Sequence, residues 1–169
     1  MVTPSEITEV LAAHPGVHRA EAATVRHDGQ DVTVAAVELG EYLSGPILRE
    51  YVRRQLGEDN GLAGVLTVER IPMAGGAVDV EYLASAVADG RCTLFADPRD
   101  DVERRLTAIW SQQMDVHLVG VHDDFLELGG DSLSALGIIS AIETEFDRSL
   151  DVYEFMSAAS VARLADILR

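Results

Sequence analysis

Two adjacent glycines, followed by a serine and a long apolar pattern, constrain the fold of this chain most strongly. Gly129 and Gly130 end a polar stretch and can adopt backbone conformations that other residues rarely reach. Beyond Ser132, apolar residues recur at the spacing of one helix face, at Ala135, Ile139, Ile142 and Phe146. The segment therefore predicts a helix that begins at Ser132 and buries one side.

A helix start at Ser132 would also suit a phosphate on its hydroxyl. The first turn of a helix has unpaired backbone N–H groups, and the helix dipole is positive there. The alternative is purely structural: Asp131 or Ser132 caps the helix, and the two glycines shape a turn. Taken alone, these few residues leave both interpretations open.

Amphipathic segments flank this predicted helix on both sides. The segment before it has the apolar pattern of a helix, at Val102, Leu106, Ile109 and Trp110. After it, residues 150–156 predict a short helical turn, and residues 160–168 predict a last helix capped by Ser160. Residues 99–169 are thus predicted to form an all-α domain of four helices.

The first half of the chain has a mixed pattern that predicts an α+β domain over residues 1–88. In order, the predicted elements are a helix from residue 3 that stops at Pro15, strands at 21–25 and 32–37, a helix introduced by residues 44–46, a strand at 65–70 and a helix at about 79–87. The order is therefore α-β-β-α-β-α, with the helices packed on one sheet. Residues 89–98 lack periodicity and are predicted to be a linker.

Charge and cysteine content narrow the class of protein. The net charge of −16 argues against nucleic-acid binding and indicates either partners with basic docking surfaces or simply a contribution to solubility. No apolar run is long enough to span a membrane or to start a secretory signal. The single cysteine, Cys92, cannot form an internal disulfide, which fits a cytoplasmic protein. We interpret Cys92 as a spectator in the linker rather than a reactive thiol, because no basic or histidine neighbour lies beside it.

Two sets of residues have the composition of metal ligands, and neither predicts a site strongly. His14 and His18 are four apart, but Pro15 and Gly16 lie between them and break a helix. An acidic group precedes Ser132 and consists of Asp123, Asp124, Glu127 and Asp131. A structural metal there is one interpretation, and a solvated acidic loop is the favoured one.

The segment before the predicted helix resembles the attachment site of peptidyl carrier proteins, the thiolation domains of nonribosomal peptide synthetases. Residues 119–133 carry it, and read Val-Gly-Val-His-Asp-Asp-Phe-Leu-Glu-Leu-Gly-Gly-Asp-Ser-Leu. The resemblance covers residues 99–169 and implies a covalent 4'-phosphopantetheine, taken from coenzyme A, on Ser132. It also implies that Asp131 helps a phosphopantetheinyl transferase to engage the serine. Leu133 is expected to face partner enzymes.

The first half resembles the small C-terminal subdomain of adenylation domains from the same synthetases. The similarity lies in residues 2–7, 13–17 and 71–79. In this alignment the family's catalytic lysine falls on Ala77, and the chain contains no lysine, because all 13 of its basic residues are arginine. Loss of such an electrostatic contact lowers a rate by about two or three decades. The nucleotide-binding portion of the family is missing as well.

The resemblance therefore implies a carrier and not an enzyme, with a truncated, inactive adenylation-type subdomain before it. An adenylating enzyme would load Ser132 in trans, and condensing, tailoring or releasing enzymes would act on the thioester. Two alternatives stay open. The chain could be a fragment that completes an adenylation domain on another chain, with a lysine donated in trans. It could also be an interaction module in which Ser132 is never modified.

Overall fold

The structure, a computed structural model, describes residues 1–169, which divide into two compact units. The amino-terminal unit comprises Met1–Leu94, and the carboxy-terminal unit comprises Phe95–Arg169. The boundary between them falls within residues 89–98, the segment expected to be a linker. Neither unit contains a helix that is long and apolar enough to cross a membrane.

The amino-terminal unit has an α+β fold, as the sequence predicts. Its elements are α1 Pro4–Ala12, β1 Val17–His27, β2 Gln30–Leu39, α2 Gly45–Leu56, β3 Leu62–Val68, β4 Met73–Ala74, β5 Ala77–Val78 and α3 Val80–Ala88. The predicted order of helices and strands is confirmed. The structure also contains a short β4–β5 hairpin that was not predicted. β3 begins and ends nearer the amino terminus than the predicted strand at 65–70.

The three long strands form one sheet in the order β1-β2-β3. β1 is antiparallel to β2, and β3 is parallel to β2. The turn between β1 and β2 consists of Asp28 and Gly29, whose φ angles are +48° and +78°. Two central residues with positive φ match the twist of the flanking strands, which explains why an Asp-Gly pair closes this hairpin.

Alternating side chains of β2 contribute to two separate cores, one on each face of the sheet. Ala35 and Val37 pack in a cluster with buried residues of α1 and α2, whereas Val34 and Ala36 pack in a cluster with α3. Cys92 belongs to the second cluster and is only 3% exposed. It is therefore a core residue, and its placement in a linker by sequence was wrong.

Four helices make up the carboxy-terminal unit: α4 Asp101–Met114, α5 Ser132–Phe146, α6 Val152–Ala158 and α7 Val161–Leu168. α4 packs against α5 and α7, and α6 contacts the same two helices. At the centre lies an aromatic cluster of Trp110, Phe125 and Phe155, whose ring centroids are 4.9 to 5.9 Å apart. Edge-to-face and tilted pairs of this kind add stability beyond the apolar area they bury. The predicted helical character of this part is confirmed.

Candidate functional site

Ser132 is the first residue of α5 and is exposed to solvent. The preceding residue, Asp131, is the helix cap: its carboxylate accepts a hydrogen bond from the Ser134 backbone N–H at 2.8 Å. In return, the Ser134 hydroxyl accepts one from the Asp131 backbone N–H at 2.9 Å. These reciprocal bonds form a capping box and leave the Ser132 hydroxyl outside them. Both sequence interpretations of this segment are therefore compatible, because the cap is Asp131 and Ser132 faces solvent.

The capping geometry also alters the acidity of Asp131. The hydrogen bond from the Ser134 backbone, and then that from the Ser134 side chain, hold the pKa of the Asp131 carboxyl below its ordinary value. Hydrogen bonds to an ionised carboxylate favour its charged form. Asp131 is thus an anion that is already engaged with the helix it caps.

The two glycines before this cap have different reasons for being glycine. Gly129 has a φ of +89°, a conformation that residues with a side chain rarely adopt. Gly130 lies against the ring of Phe125, and a Cβ placed on it would stand 2.4 Å from Cζ of that ring. One glycine is required by the backbone and the other by a close contact. The sequence pattern indicated a turn here but could not separate these two causes.

The acidic residues before Ser132 do not act as one cluster. Asp123 is fully buried, and it accepts a hydrogen bond from the Gly120 backbone N–H at 2.8 Å. The Asp124 carboxylate accepts hydrogen bonds from the backbone N–H groups of Leu126 and Glu127, which closes a turn. Partial burial, together with Asp124 and Asp123, raises the pKa of Glu127. No group of three or more potential ligand side chains is arranged to hold a metal ion. The favoured interpretation, a solvated loop, is wrong for Asp123.

An apolar groove of about 450 Å³ opens beside Ser132. It is lined by Leu126, Asp131, Ser132, Ala135, Leu136, Val152 and Met156. Two of the leucines that line it are more than half exposed, and Leu133, next to Ser132 in the chain, is 80% exposed. Phe155, in contrast, is fully buried in the aromatic cluster, as expected for a core residue.

Sequence reasoning missed three residues of this surface, namely Leu126, Leu136 and Val152. A signal for one of them was present. Leu136 is three residues after Leu133 on α5, so the two share a helix face that is not the buried one. Leu126 and Val152 lie outside α5 and reach the groove only through the tertiary fold.

The remaining candidate residues carry little chemistry. Ala77 is exposed in the β4–β5 hairpin and has no functional group. Burial raises the pKa of the Cys92 thiol to about 11, which leaves it protonated at neutral pH. The Nδ1 atom of His14 already accepts a hydrogen bond from the Gly16 backbone N–H at 3.0 Å. The site of interest is therefore the one at Ser132.

Comparison with known proteins finds similarity to one family in the carboxy-terminal unit. Residues 104–168 match the family described as phosphopantetheine attachment site. The chain is 29% identical over 170 residues to gramicidin S synthase 2 of Brevibacillus brevis, covering 99% of the chain and 4% of that relative. It is 32% identical over 168 residues to tyrocidine synthase 3 of Brevibacillus parabrevis, covering 96% of the chain and 3% of that relative. The chain thus spans only a small part of the length of these curated relatives.

Among solved structures, the chain is similar to that of the McyG A-PCP complexed with phenylalanyl-adenylate. The TM-score is 0.44 and the sequence identity is 22%, with 98% of the chain and 30% of the other chain covered.

Proposed function

We propose that the chain acts as a peptidyl carrier in nonribosomal peptide biosynthesis. Its carboxy-terminal unit is a carrier domain for 4'-phosphopantetheine, since residues 104–168 match the family of that attachment site. The attachment point in this proposal is Ser132. One observation supports this choice above others: Ser132 is the exposed first residue of α5, directly after the cap Asp131, and it lines the apolar groove.

Attachment is a group transfer from coenzyme A, performed by a separate phosphopantetheinyl transferase. The Ser132 oxygen bonds to the phosphorus that carries the pantetheine, and the P–O bond to the other phosphate of the pyrophosphate breaks. Adenosine 3',5'-bisphosphate leaves, and the hydroxyl proton is released. The new phosphodiester would face the first N–H groups and the positive dipole end of α5, which tolerate its charge.

The bound group supplies a terminal thiol, which carries an aminoacyl or acyl group as a thioester. The chain's own residues position the arm and present it to other enzymes. Leu133, next to Ser132, and Leu136, which lines the groove, present exposed apolar surface and are the residues we assign to docking. The net charge of −16 adds a preference for partners with basic surfaces.

We infer that the amino-terminal unit is an adenylation-type subdomain without catalytic activity. The exposed Ala77 occupies the position expected for the family's lysine, and an alanine methyl cannot donate a hydrogen bond. No lysine elsewhere in the sequence can replace it. An adenylating enzyme in trans would therefore activate and load the acyl group. Condensing, tailoring or releasing enzymes would then use it, in the synthesis of peptide secondary metabolites such as antibiotics.

Intact-mass measurement tests the carrier function. The chain is incubated with coenzyme A, Mg²⁺ and a broad-specificity phosphopantetheinyl transferase, and its mass is expected to rise by one phosphopantetheine group. Ser132→Ala should abolish the increase. Ser140→Ala, which removes another exposed serine of α5, should leave it intact.

Other outcomes favour the alternatives. An unchanged mass with a transferase that modifies a control carrier would favour the unmodified interaction module. ATP–pyrophosphate exchange that depends on this chain and a second protein would favour the split adenylation fragment.

A further inference from the structure

Phe125 lies in the loop before Ser132 and is held by two backbone hydrogen bonds and by the packing of its ring. Its backbone N–H donates a hydrogen bond to the carbonyl of Ala159, between α6 and α7, at 2.8 Å. Its carbonyl accepts one from the Gly130 backbone N–H at 3.0 Å. Its ring is 1% exposed and packs edge-on against Trp110 and Phe155. The ring of Phe125 is therefore held in place by the core and cannot shift at little cost.

Gly130 rests directly on this ring. A Cβ on Gly130 would stand 2.4 Å from Cζ and 2.5 Å from each Cε atom of Phe125, far inside van der Waals contact. Gly130 does not have a positive φ, in contrast to Gly129, so the left-handed conformation that favours glycine is not used here. The ring contact alone, and not backbone strain, requires glycine at this position.

The position of Gly130 controls the start of α5. Gly130 is followed directly by the helix cap Asp131, and Asp131 by Ser132. A displacement of Gly130 would move the cap and redirect the hydroxyl of Ser132. Group transfer depends on the alignment of the reacting atoms, and an error of 1 Å can lower a rate by about a hundredfold.

We propose that Phe125 is a positioning residue for the modification of Ser132. It acts through Gly130, by providing a rigid aromatic surface on which the Gly129–Gly130 turn rests. This role rests on the proposed function, because it concerns the transfer of 4'-phosphopantetheine to that serine.

The test compares modification kinetics of full-length variants with coenzyme A and the same transferase. Gly130→Ala is expected to lower kcat by about tenfold or more, because the added methyl displaces the turn. The double variant Gly130→Ala with Phe125→Leu should recover most of the loss, since the shorter side chain makes room for the methyl. Recovery by a second substitution in contact with the first is the signature of direct coupling.

Gly137→Ala is the matched control. It places the same methyl within α5, 2.4 Å from the amide oxygen of Gln113, which is at the end of a flexible side chain. Its kcat should equal that of the wild type. Rates are measured at a temperature where circular dichroism shows every variant to be folded, so a role in stability alone would leave kcat unchanged.

Wild-type kcat for Gly130→Ala, or no recovery in the double variant, would overturn the positioning role while leaving the carrier function intact. A wild-type chain that is never modified would instead refute the carrier function, and the positioning role with it. Where Gly130→Ala does not fold, Phe125→Leu alone decides the question: it loosens the surface under Gly130 without adding atoms. A severalfold lower kcat supports the role, and an unchanged kcat refutes it.

Discussion

Each unit contains a Gly-Gly turn that leads to an aspartate helix cap, but the two turns differ in the atoms that their glycines contact. In the amino-terminal unit, Gly75 and Gly76 have φ angles of +62° and +83°, and no atoms lie within 4 Å of where their side chains would begin. In the carboxy-terminal unit, Gly129 is open in the same way, whereas Gly130 rests on Phe125. The second turn alone is anchored to a core.

The aspartates that follow perform the same task in both units. The Asp79 carboxylate accepts a hydrogen bond from the Tyr82 backbone N–H, and the Asp131 carboxylate accepts one from Ser134. The exposed residues nearby differ, since Ala77 stands beside the first turn and Ser132 beside the second. Turn and cap therefore recur as local structure, and the chemistry depends on the residue presented and on how firmly its turn is held.

The largest expected effect concerns the core under the second turn. Phe155→Ala should lower the free energy of unfolding of the carboxy-terminal unit by about 3 to 5 kcal/mol, because it removes a fully buried ring. Urea unfolding followed by the fluorescence of Trp110, the single tryptophan, measures it. Met156→Ala is the control: this neighbouring side chain is 38% exposed and should matter far less. Equal losses of unfolding free energy in the two variants would mean that the aromatic cluster does not anchor the turn.

A smaller effect is expected from the two helix caps. Asp79→Ala should lower the free energy of unfolding by about 1 kcal/mol, the usual contribution of a cap. Asp131→Ala should act in the same direction, whereas Asp131→Asn should preserve stability because asparagine also caps helices. Circular dichroism during urea unfolding measures all three variants.

The asparagine variant also tests what the charge of Asp131 does. Slower modification of a fully stable Asp131→Asn would show that the transferase requires the carboxylate. An unchanged rate would leave Asp131 only its capping role.

The smallest effect is a dependence of stability on pH. Hydrogen bonds from Ser134 depress the pKa of folded Asp131, so the folded state favours the ionised carboxylate. The resulting stabilisation is fully present above the ordinary carboxyl pKa of about 3.9 and is lost as the pH falls through the lower folded value. The stability difference between the wild type and Asp131→Asn should therefore change below about pH 4. A difference that stays constant across this range would contradict the assignment.

Periodicity predicted most of the fold, because it reflects which side chains must be buried. The apolar spacing after Ser132 predicted α5, and the strands predicted at 21–25 and 32–37 lie within β1 and β2. Sequence failed where burial depends on tertiary contacts. Cys92 lies in a segment without periodicity, and its side chain is nevertheless part of a core. Asp123 is buried and accepts a hydrogen bond from the Gly120 backbone N–H, a contact that no sequence pattern indicates.

The part of the candidate site that depends on a local sequence motif could likewise be predicted. Ser132 and Leu133 follow from a local motif, and both are exposed in the structure. The groove beside Ser132 also requires Val152 and Met156, which α6 brings to α5. The contact between Gly130 and the ring of Phe125 could not be predicted, because the position of that ring is known only from the folded chain.

Locating the modification within the chain tests most directly whether Ser132 is the attachment point. After incubation with coenzyme A and a phosphopantetheinyl transferase, the protein is digested, and the peptide containing Ser132 and Ser134 is sequenced by tandem mass spectrometry. We expect one phosphopantetheine group, attached to Ser132. Attachment to another residue, or no attachment under conditions that modify a known carrier, would contradict it.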